Sequence, residues 1–483
     1  MDGGPGRRTS DLLLRDVVVD GRLVDVRASG GVIAEVGRPL APRAGDVVVD
    51  GRRGALLPGL HDHHIHLVAL AAAERSPWVG PPVVTDPDRL AAALHQAHAA
   101  LDRGEWLRAI GYHESVAGPL DRWSLDALVV DRPVRVQHRT GAEWVLNSLG
   151  LAHIGVVDDG TGPEEAPSGV ERDAGGRPTG RLRGLDRWLS DRLPPLPAPD
   201  LAAVGSRLSR YGVTGVTDAT PVATLSELHP IADAAAGGLL PQRVTIMGSP
   251  RLTEAEPPPP LARGPVKLML ADYALPGLED LVRWMQAAHA VGRPVAVHAV
   301  TRTGLGLALA AWEEVGAIDG DRVEHASVVP PNLRSRVASR DLVVVTQPGF
   351  VEERGDRYLA QVAPDDLPHL YPCRSLIEAG IRVGGGTDAP FGHPDPWRAI
   401  ATAVERRTSD GAPLGVREAV SPERALALFL TPPGAPGGAP RRVAEGASAD
   451  LCLLDGPLST VLEDPSSSHV ALTVHRGVPT AVS

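Results

Sequence analysis

The chain has 483 residues, of which 43% are hydrophobic, and its formal net charge is −11. The length exceeds that of one ordinary core, and the acidic balance, without a basic stripe, argues against nucleic acid or an anionic membrane as a partner. Its two cysteines lack CxxC spacing, and no uncharged apolar run approaches the about 18 residues of a spanning helix, so we expect a cytoplasmic protein that acts on a small molecule.

The two ends of the chain share one sequence pattern, in which short strand-like runs alternate with tight turns. Asp20-Gly21 and Asp50-Gly51 favour hairpin turns between the N-terminal runs, and ADLCLLDG and HVALTVHRGVPTAV repeat the pattern near the C-terminus. Each end alone is too small to be stable. We therefore predict a composite β-sandwich domain from residues 1–54 and 440–483.

The middle of the chain, residues 55–439, alternates short apolar strands with helical stretches, which is typical of a parallel α/β arrangement. Eight such strands predict an α/β fold of the TIM-type (β/α)8 barrel class, whose active sites lie at the C-terminal ends of the strands. The predicted strands are 55–60, 212–219, 243–248, 266–270, 294–299, 322–326, 342–348 and 382–388.

A large insertion, residues 68–205, follows the first predicted strand and is expected to form a cap. It contains five of the eight tryptophans, and we expect most of these rings to fill the insertion's own core rather than to line a substrate pocket. The five are Trp78, Trp106, Trp123, Trp144 and Trp188.

The stretch LPGLHDHHIHL, residues 57–67, holds four histidines. Side chains alternate faces along a strand, so His64 and His66 point one way, with Asp62 as support, while His61 and His63 point the other way. Two histidines at i and i+2 at the end of a barrel strand can offer two imidazole nitrogens to one metal ion. An HxH pair alone is weak evidence for a metal site.

Further metal-ligating residue types end other predicted strands: His298 in VAVHA, His325 in RVEHA and Asp388 in GGGTD. The chain also contains a single lysine, Lys267, among its 48 basic side chains, and it lies in the apolar run PVKLMLA. If the composition merely favours arginine and this lysine remained by chance, we would expect it on a polar surface. We therefore assign Lys267 a chemical role.

The amine of a buried lysine is readily neutralised and can react with carbon dioxide to give a carbamate, a carboxylate that can bridge two cations. Arginine cannot do this. With such a group, the five strand-end residues and Lys267 would hold two divalent ions that share a hydroxide, whose pKa the metals lower. The expected chemistry is hydrolysis.

These motifs resemble the amidohydrolase superfamily, and most closely its YtcJ-like branch. The resemblance covers nearly the whole chain. The matching segments are PGLHDHHIH (58–66), GRPTG (176–180), YGVTGVTDA (211–219), VKLML around Lys267, VAVHAV (295–300), RVEHA (322–326), YPCRSLIEAGIRVGGGTDAP (371–390), DPWRAI (395–400) and ADLCLLD (449–455).

The resemblance implies that His64 and His66 bind the more buried metal together with Asp388. Carboxylated Lys267 would bridge the ions, and His298 with His325 would hold the second one. Asp388 would also take the proton of the attacking water and return it to the leaving nitrogen. Zinc is the expected ion, and a one-metal site stays open because occupancy varies within this branch.

One position departs from the branch, because Ala142 in TGAEWVLNS replaces its usual histidine. His138 and Glu143 are the candidates to compensate for that loss. As candidate substrate-binding residues we name His113, Glu114, His138 and His393.

The sequence thus predicts a metal-dependent hydrolase that cleaves an amide, formamide, carbamate or cyclic amide C–N bond. The alternatives are a one-metal deaminase, an isomerase or decarboxylase, and a member that only binds ligand. Deamination is disfavoured because Lys267 is present and AVTR, rather than a glutamate, follows His298. A homodimer is a possible assembly.

Overall fold

The computed structural model describes residues 11–156, 167–194 and 198–481. The chain divides into two compact units, residues 1–68 with 201–483 and residues 69–200. The first unit contains a sheet of eight parallel strands, numbered here as barrel strands 1 to 8, in which sequence neighbours are also hydrogen-bonded neighbours. They are Leu60–Ile65, Val213–Asp218, Arg243–Gly248, Ala262–Met269, Val295–Ala299, Arg322–His325, Val343–Thr346 and Val383–Gly385.

Backbone hydrogen bonds between the two edges of this sheet bring it close to a closed barrel. Asp388 N donates to His64 O at 2.7 Å, and His66 N donates to Ala389 O at 2.9 Å. The segment after barrel strand 8 therefore lies against the end of barrel strand 1. The predicted TIM-type barrel is confirmed.

Helices follow the barrel strands, as expected for βα units. The helix Leu278–Ala290 shows why they form: Leu281, Met285 and Ala288 recur at helical spacing and are its buried residues. The other helices of this unit are Leu201–Arg210, His229–Ala236, Arg302–Val315, Pro331–Ala338, Gly349–Gln361, Arg374–Glu378, Pro396–Glu405, Pro422–Ala427 and Leu458–Val461, and Leu67–Glu74 runs from this unit into the second.

The two ends of the chain form two four-stranded sheets that share one apolar core, which includes Leu14, Ile33, Leu453 and Val474. This is the small β-sandwich expected from both termini. One sheet contains Leu12–Val19, Arg22–Ser29, Val32–Gly37 and Val47–Asp50, and the other contains Leu56–Pro58, Leu451–Leu454, Val470–His475 and Val478–Ala481.

The predicted first strand, 55–60, is divided between two sheets. Leu56–Pro58 pairs antiparallel with Leu451–Leu454 in the terminal sandwich, and barrel strand 1 begins only at Leu60. Gly59 lies at the crossing point, where a Cβ atom would be 2.2 Å from Thr214 Cγ2. Only a glycine fits this close approach. Because the barrel strand begins after Gly59, it consists of the histidine-rich stretch Leu60–Ile65.

The second unit is built around a five-stranded sheet. Trp144 is 6% exposed within its core, and Trp106 and Trp188 pack against the same cluster, whereas Trp123 is 37% exposed. The strands are Leu107–Tyr112, Val134–His138, Glu143–Leu146, Val170–Arg172 and Pro178–Arg183, and the helices are Pro87–Ala99, Glu114–Ala117, Arg122–Leu128, Ser148–His153 and Asp186–Ser190. None of the helices in the described ranges is both long and apolar enough to cross a membrane.

Candidate metal centre

The end of barrel strand 1 and the loop after barrel strand 8 bring three expected ligands together. His64 Nε2 lies 3.4 Å and His66 Nε2 3.2 Å from Asp388 Oδ1. One donor atom from each of the three residues lies within 4.8 Å of the other two. Two imidazoles and one carboxylate at this spacing are a donor set that fits a divalent transition metal.

The orientation of His64 is fixed by a buried ion pair. Its Nδ1 hydrogen-bonds Glu324, whose other carboxylate oxygen accepts from the Arg322 guanidinium. Nδ1 is thereby occupied, and Nε2 is the nitrogen that faces Asp388. Glu324 was missed in the sequence, although a charge inside the buried strand RVEHA was a signal that could have revealed it.

Two further imidazoles are oriented in the same way. His66 Nδ1 lies 3.0 Å from Thr220 Oγ1, and His325 Nδ1 lies 2.8 Å from Gln347 Oε1. In each ring one nitrogen is held by a neighbour, which leaves Nε2 as the potential metal ligand. Thr220 and Gln347 follow barrel strands 2 and 7. Each reaches its histidine only because the strands lie side by side in the barrel, and no local sequence motif shows that contact.

The second histidine pair lies beside the first. The ring centroids of His298 and His325 are 4.4 Å apart, and those of His64 and His325 are 4.7 Å apart. Burial lowers the pKa of His64 to about 4 and that of His325 to about 3, with nearby charges as smaller influences. These rings are therefore neutral at physiological pH, which is the form that binds metal.

Lys267 is buried at the centre of this group. Its side chain belongs to barrel strand 4, the residue is 1% exposed, and Nζ lies 3.5 Å from His64 Nε2. Burial lowers the pKa of the amine to about 8. The lone lysine of the sequence thus lies where the proposed ligands converge.

Asp62 supports the site through hydrogen bonds to His64 and Thr387. Its Oδ1 accepts hydrogen bonds from His64 N and Thr387 N, both at 3.0 Å, and its Oδ2 accepts from Thr387 Oγ1 at 2.5 Å. Burial, opposed by these hydrogen bonds, raises the pKa of Asp62 to about 7. This carboxyl connects barrel strand 1 to the segment that carries Asp388.

The remaining histidines of barrel strand 1 point away from the centre. His61 Nε2 bonds Thr217 Oγ1 at 2.9 Å, and His63 Nε2 bonds Thr431 Oγ1 at 2.8 Å. Both rings are buried, at 1% and 0% exposure. Their packing role agrees with the alternation expected along the strand.

The amidohydrolase family matches residues 47–481, which is most of the chain. The chain belongs to the amidohydrolase family. This match confirms the expected enzyme class, a metal-dependent hydrolase that acts on carbon–nitrogen bonds other than peptide bonds.

Individual relatives agree with this placement. The chain is 26% identical to an N-substituted formamide deformylase of Arthrobacter pascens, with 89% of each chain covered. It is also 26% identical to the putative amidohydrolase YtcJ of Bacillus subtilis, over 89% of this chain and 88% of that protein. A metal-dependent hydrolase structure from Pyrococcus horikoshii shares the fold, with a TM-score of 0.73, 19% identity, and coverage of 95% and 100%.

In this amidohydrolase, three of the four candidate substrate-binding residues form their own cluster in the second unit. Glu114 Oε2 lies 3.7 Å from His113 Nε2 and 3.2 Å from His138 Nε2. The Nδ1 atoms accept from the backbone N–H groups of Ser115, at 3.1 Å, and Thr140, at 3.3 Å. The donor atoms of the three residues lie within 4.8 Å of one another, as in the first group. A backbone N–H can only donate, however, and a neutral ring that accepts at Nδ1 carries its proton on Nε2, which then donates hydrogen bonds rather than binding metal.

Local contacts hold His393, the fourth substrate-binding candidate, and Glu143, a candidate to compensate for Ala142. His393, in the loop after barrel strand 8, accepts a hydrogen bond at Nδ1 from Asp395 N at 3.2 Å, and burial lowers its pKa to about 4. Glu143 lies in the second unit, where Arg183 Nε donates to its Oε2 at 2.7 Å. Glu143 is therefore an ion-pair partner rather than a lone charge.

Proposed function

We propose that this chain hydrolyses the amide-type C–N bond of a small molecule, such as an amide, formamide, carbamate or cyclic amide, at a centre of one or two divalent ions. The observation that carries the proposal is the convergence of His64, His66 and Asp388 beside the buried Lys267. The relative named N-substituted formamide deformylase supports formamides within this range.

The ligands of the first ion are assigned to His64, His66 and Asp388, and those of the second to His298 and His325. Zinc suits these imidazole and carboxylate donors. When bound, the metal supplies a Lewis acid for the substrate carbonyl and lowers the pKa of water. The protein's own part is to hold neutral imidazoles in fixed orientations, which burial and the neighbours Glu324 and Gln347 achieve.

Lys267 is assigned as the bridging ligand after carboxylation. The neutral amine nitrogen attacks the carbon of carbon dioxide, an N–C bond forms, one C=O electron pair moves to oxygen, and the nitrogen loses a proton to solvent water. An ammonium 3.5 Å from His64 Nε2 would repel a cation, whereas the carbamate is an anion. Burial, which lowers the pKa of the amine to about 8, favours the neutral form that reacts.

Asp388 is assigned as the proton carrier. Burial acts to raise the pKa of its carboxyl, but the hydrogen bond from His66 and the nearby His64 and His325 lower it by more, to below its usual range. The group is therefore ionised at neutral pH, as a proton acceptor must be. It would take the proton of the attacking water and donate it to the leaving nitrogen.

The test is a substrate screen with metal-reconstituted protein. We expect cleavage of at least one N-formyl, N-acyl, carbamate or cyclic amide compound, and loss of cleavage after chelation. N-formyl and N-acyl compounds should release acid and amine in equal amounts, a carbamate should release amine, alcohol and carbon dioxide, and a cyclic amide should give one ring-opened product. Asp388→Asn should abolish cleavage, whereas the exposed Asp365→Asn should retain it. Release of ammonia from an aminated heterocycle, without cleavage of any screened compound, would contradict the proposal and favour a deaminase.

A further inference from the structure

Unused hydrogen-bond donors lie near the proposed centre, at and beyond the C-terminal end of barrel strand 7. Gln347 contacts His325 through Oε1, and its Nε2 is buried without a hydrogen-bond partner among the described residues. Arg354, on the helix Gly349–Gln361 that follows, has a buried Nε atom in the same condition. Donors without acceptors are costly inside a protein, so a ligand rich in acceptor atoms fits this end of the barrel.

Arg354 contacts the segment that carries a proposed metal ligand. Its Nη2 donates to Phe391 O at 2.5 Å, and its guanidinium carbon lies 3.7 Å from the centroid of the Phe350 ring. Phe391 N in turn donates to Asp388 O at 2.8 Å, and the Phe391 ring is 5.4 Å from the ring of His66. A single residue, Phe391, therefore connects Arg354 to two of the proposed ligands.

Three other buried arginines of the first unit have more hydrogen-bond or ion-pair partners than Arg354. Arg293 and Arg406 each donate to four backbone carbonyl groups, and Arg322 forms an ion pair with Glu324. Arg354, by contrast, donates to one carbonyl. Its guanidinium is therefore less satisfied than theirs.

Arg354 also lacks a counterion in the part of the chain that the structure describes, where no carboxylate lies within ion-pair distance of it. Glu353 precedes it, but Glu353 Oε1 accepts from His393 N at 2.9 Å. Burial lowers the pKa of Arg354, and Tyr358, Tyr371, Glu353 and Asp388 raise it by more, which places the guanidinium within electrostatic range of Asp388. A partly buried cation of this kind suits a ligand anion.

We propose that Arg354 binds a carboxylate of the substrate, so that the substrate is an N-acyl or N-formyl compound that carries a free carboxylate group. The inference rests on the proposed function and adds to it a substrate class. The planar guanidinium can pair with both oxygens of a carboxylate, and the stacking on Phe350 fixes its plane. The scissile bond would then lie between this anchor and the proposed metal ligands.

The experiment compares two substrates that differ only in the carboxylate, N-formylphenylalanine and N-formyl-2-phenylethylamine, with the metal-reconstituted full chain. The wild type should prefer the acid. Arg354→Met should lower kcat/KM for N-formylphenylalanine by about 100-fold, mainly through a higher KM. It should change kcat/KM for N-formyl-2-phenylethylamine, the amine derivative, by less than about 3-fold. Arg357→Met, on the same helix with its guanidinium 5.6 Å from the Tyr358 ring centroid, is the matched control and should change neither value.

A second readout separates binding from support of the Phe391 loop. 3-Phenylpropanoate should inhibit cleavage of the amine derivative competitively, 3-phenylpropanol should not, and Arg354→Met should weaken that inhibition by about 10-fold or more. Equal losses with both substrates, or a wild type that does not prefer the acid, would overturn the carboxylate subsite while the hydrolase assignment stands. A metal-loaded wild type that cleaves no compound of the wider screen would overturn both.

Discussion

Lys267 Nζ lies 3.5 Å from His64 Nε2, and both side chains are 1% exposed. An amine so close to a proposed metal ligand determines the sign of the local charge. As an ammonium it would oppose a cation, and as a carbamate it would attract one. The proposed chemistry therefore depends on the chemical state of this lysine.

The buried carboxylate behind His64 should tune metal affinity. Glu324→Gln keeps the shape of the side chain but removes the charge that pairs with Arg322 and holds His64 Nδ1. We expect zinc affinity to fall by about 10–100-fold and the free energy of unfolding to fall by about 3–5 kcal/mol. Metal titration and urea unfolding measure these changes, with the exposed Glu405→Gln as a control that should alter neither.

The close approach of Gly386 to His64 should tolerate no methyl group. A Cβ atom at Gly386 would lie 2.6 Å from His64 Cβ and 2.9 Å from His64 N. Gly386→Ala should displace the histidine, reduce metal binding and cost about 1–3 kcal/mol of unfolding free energy. Gly306→Ala, in the helix Arg302–Val315, should instead gain about 0.5–1 kcal/mol, because among the described residues no atom outside its own helix backbone and chain neighbours lies within 4 Å of its Cβ position. If both variants change metal binding and the free energy of unfolding to the same extent, Gly386 is not packed closely against His64.

Buried neutral histidines should make the metal-free protein sensitive to acid. Burial lowers the pKa of His64 to about 4 and that of His475, which lies outside the metal centre, also to about 4. Between pH 6.5 and 4 each of these histidines is more protonated in the unfolded chain than in the folded chain, so its contribution to stability falls as the pH falls. Each such histidine should cost about 1.4 kcal/mol per pH unit in that window.

Urea unfolding of chelator-treated protein at several pH values measures this slope. His475→Gln should reduce it, because one of the contributing groups is removed. A free energy of unfolding that is constant from pH 6.5 to 4 would contradict the assignment of these rings as buried and neutral.

The histidine cluster of the second unit should not be a metal site. His113 and His138 accept backbone hydrogen bonds at Nδ1, so their Nε2 atoms carry protons. We expect the double variant His113→Ala/His138→Ala to retain the wild-type number of zinc ions per chain, whereas His66→Ala loses zinc. Elemental analysis after dialysis decides this, and loss of an ion from the double variant would contradict the proton assignment.

The barrel and the set of converging residues could be read from the sequence because both follow local rules. Alternation along barrel strand 1 separates His64 and His66 from His61 and His63, and the ends of parallel barrel strands meet at one face. The isolated lysine within an apolar run was the most informative single residue. Zinc and the carboxylation of Lys267 stay predictions.

Features that depend on distant partners were not predictable in this way. The strand Leu56–Pro58 takes its place by pairing with Leu451–Leu454, almost four hundred residues later. Glu324 supports His64 across the barrel interior, and nothing adjacent to either residue specifies that contact. The proton positions of the second-unit histidines follow from backbone geometry, which the motif GYHES does not show by itself.

The most direct test of the central claim is the zinc content and affinity of Lys267→Met after equilibrium dialysis with bicarbonate, beside the wild type and Arg263→Met, a control on the same strand. We predict that the wild type and the control bind zinc equally, and that Lys267→Met loses an ion or about 100-fold in affinity, with partial recovery in acetate. If Lys267→Met binds as much zinc as tightly as the wild type and hydrolyses substrate at the same rate, the proposed centre is wrong.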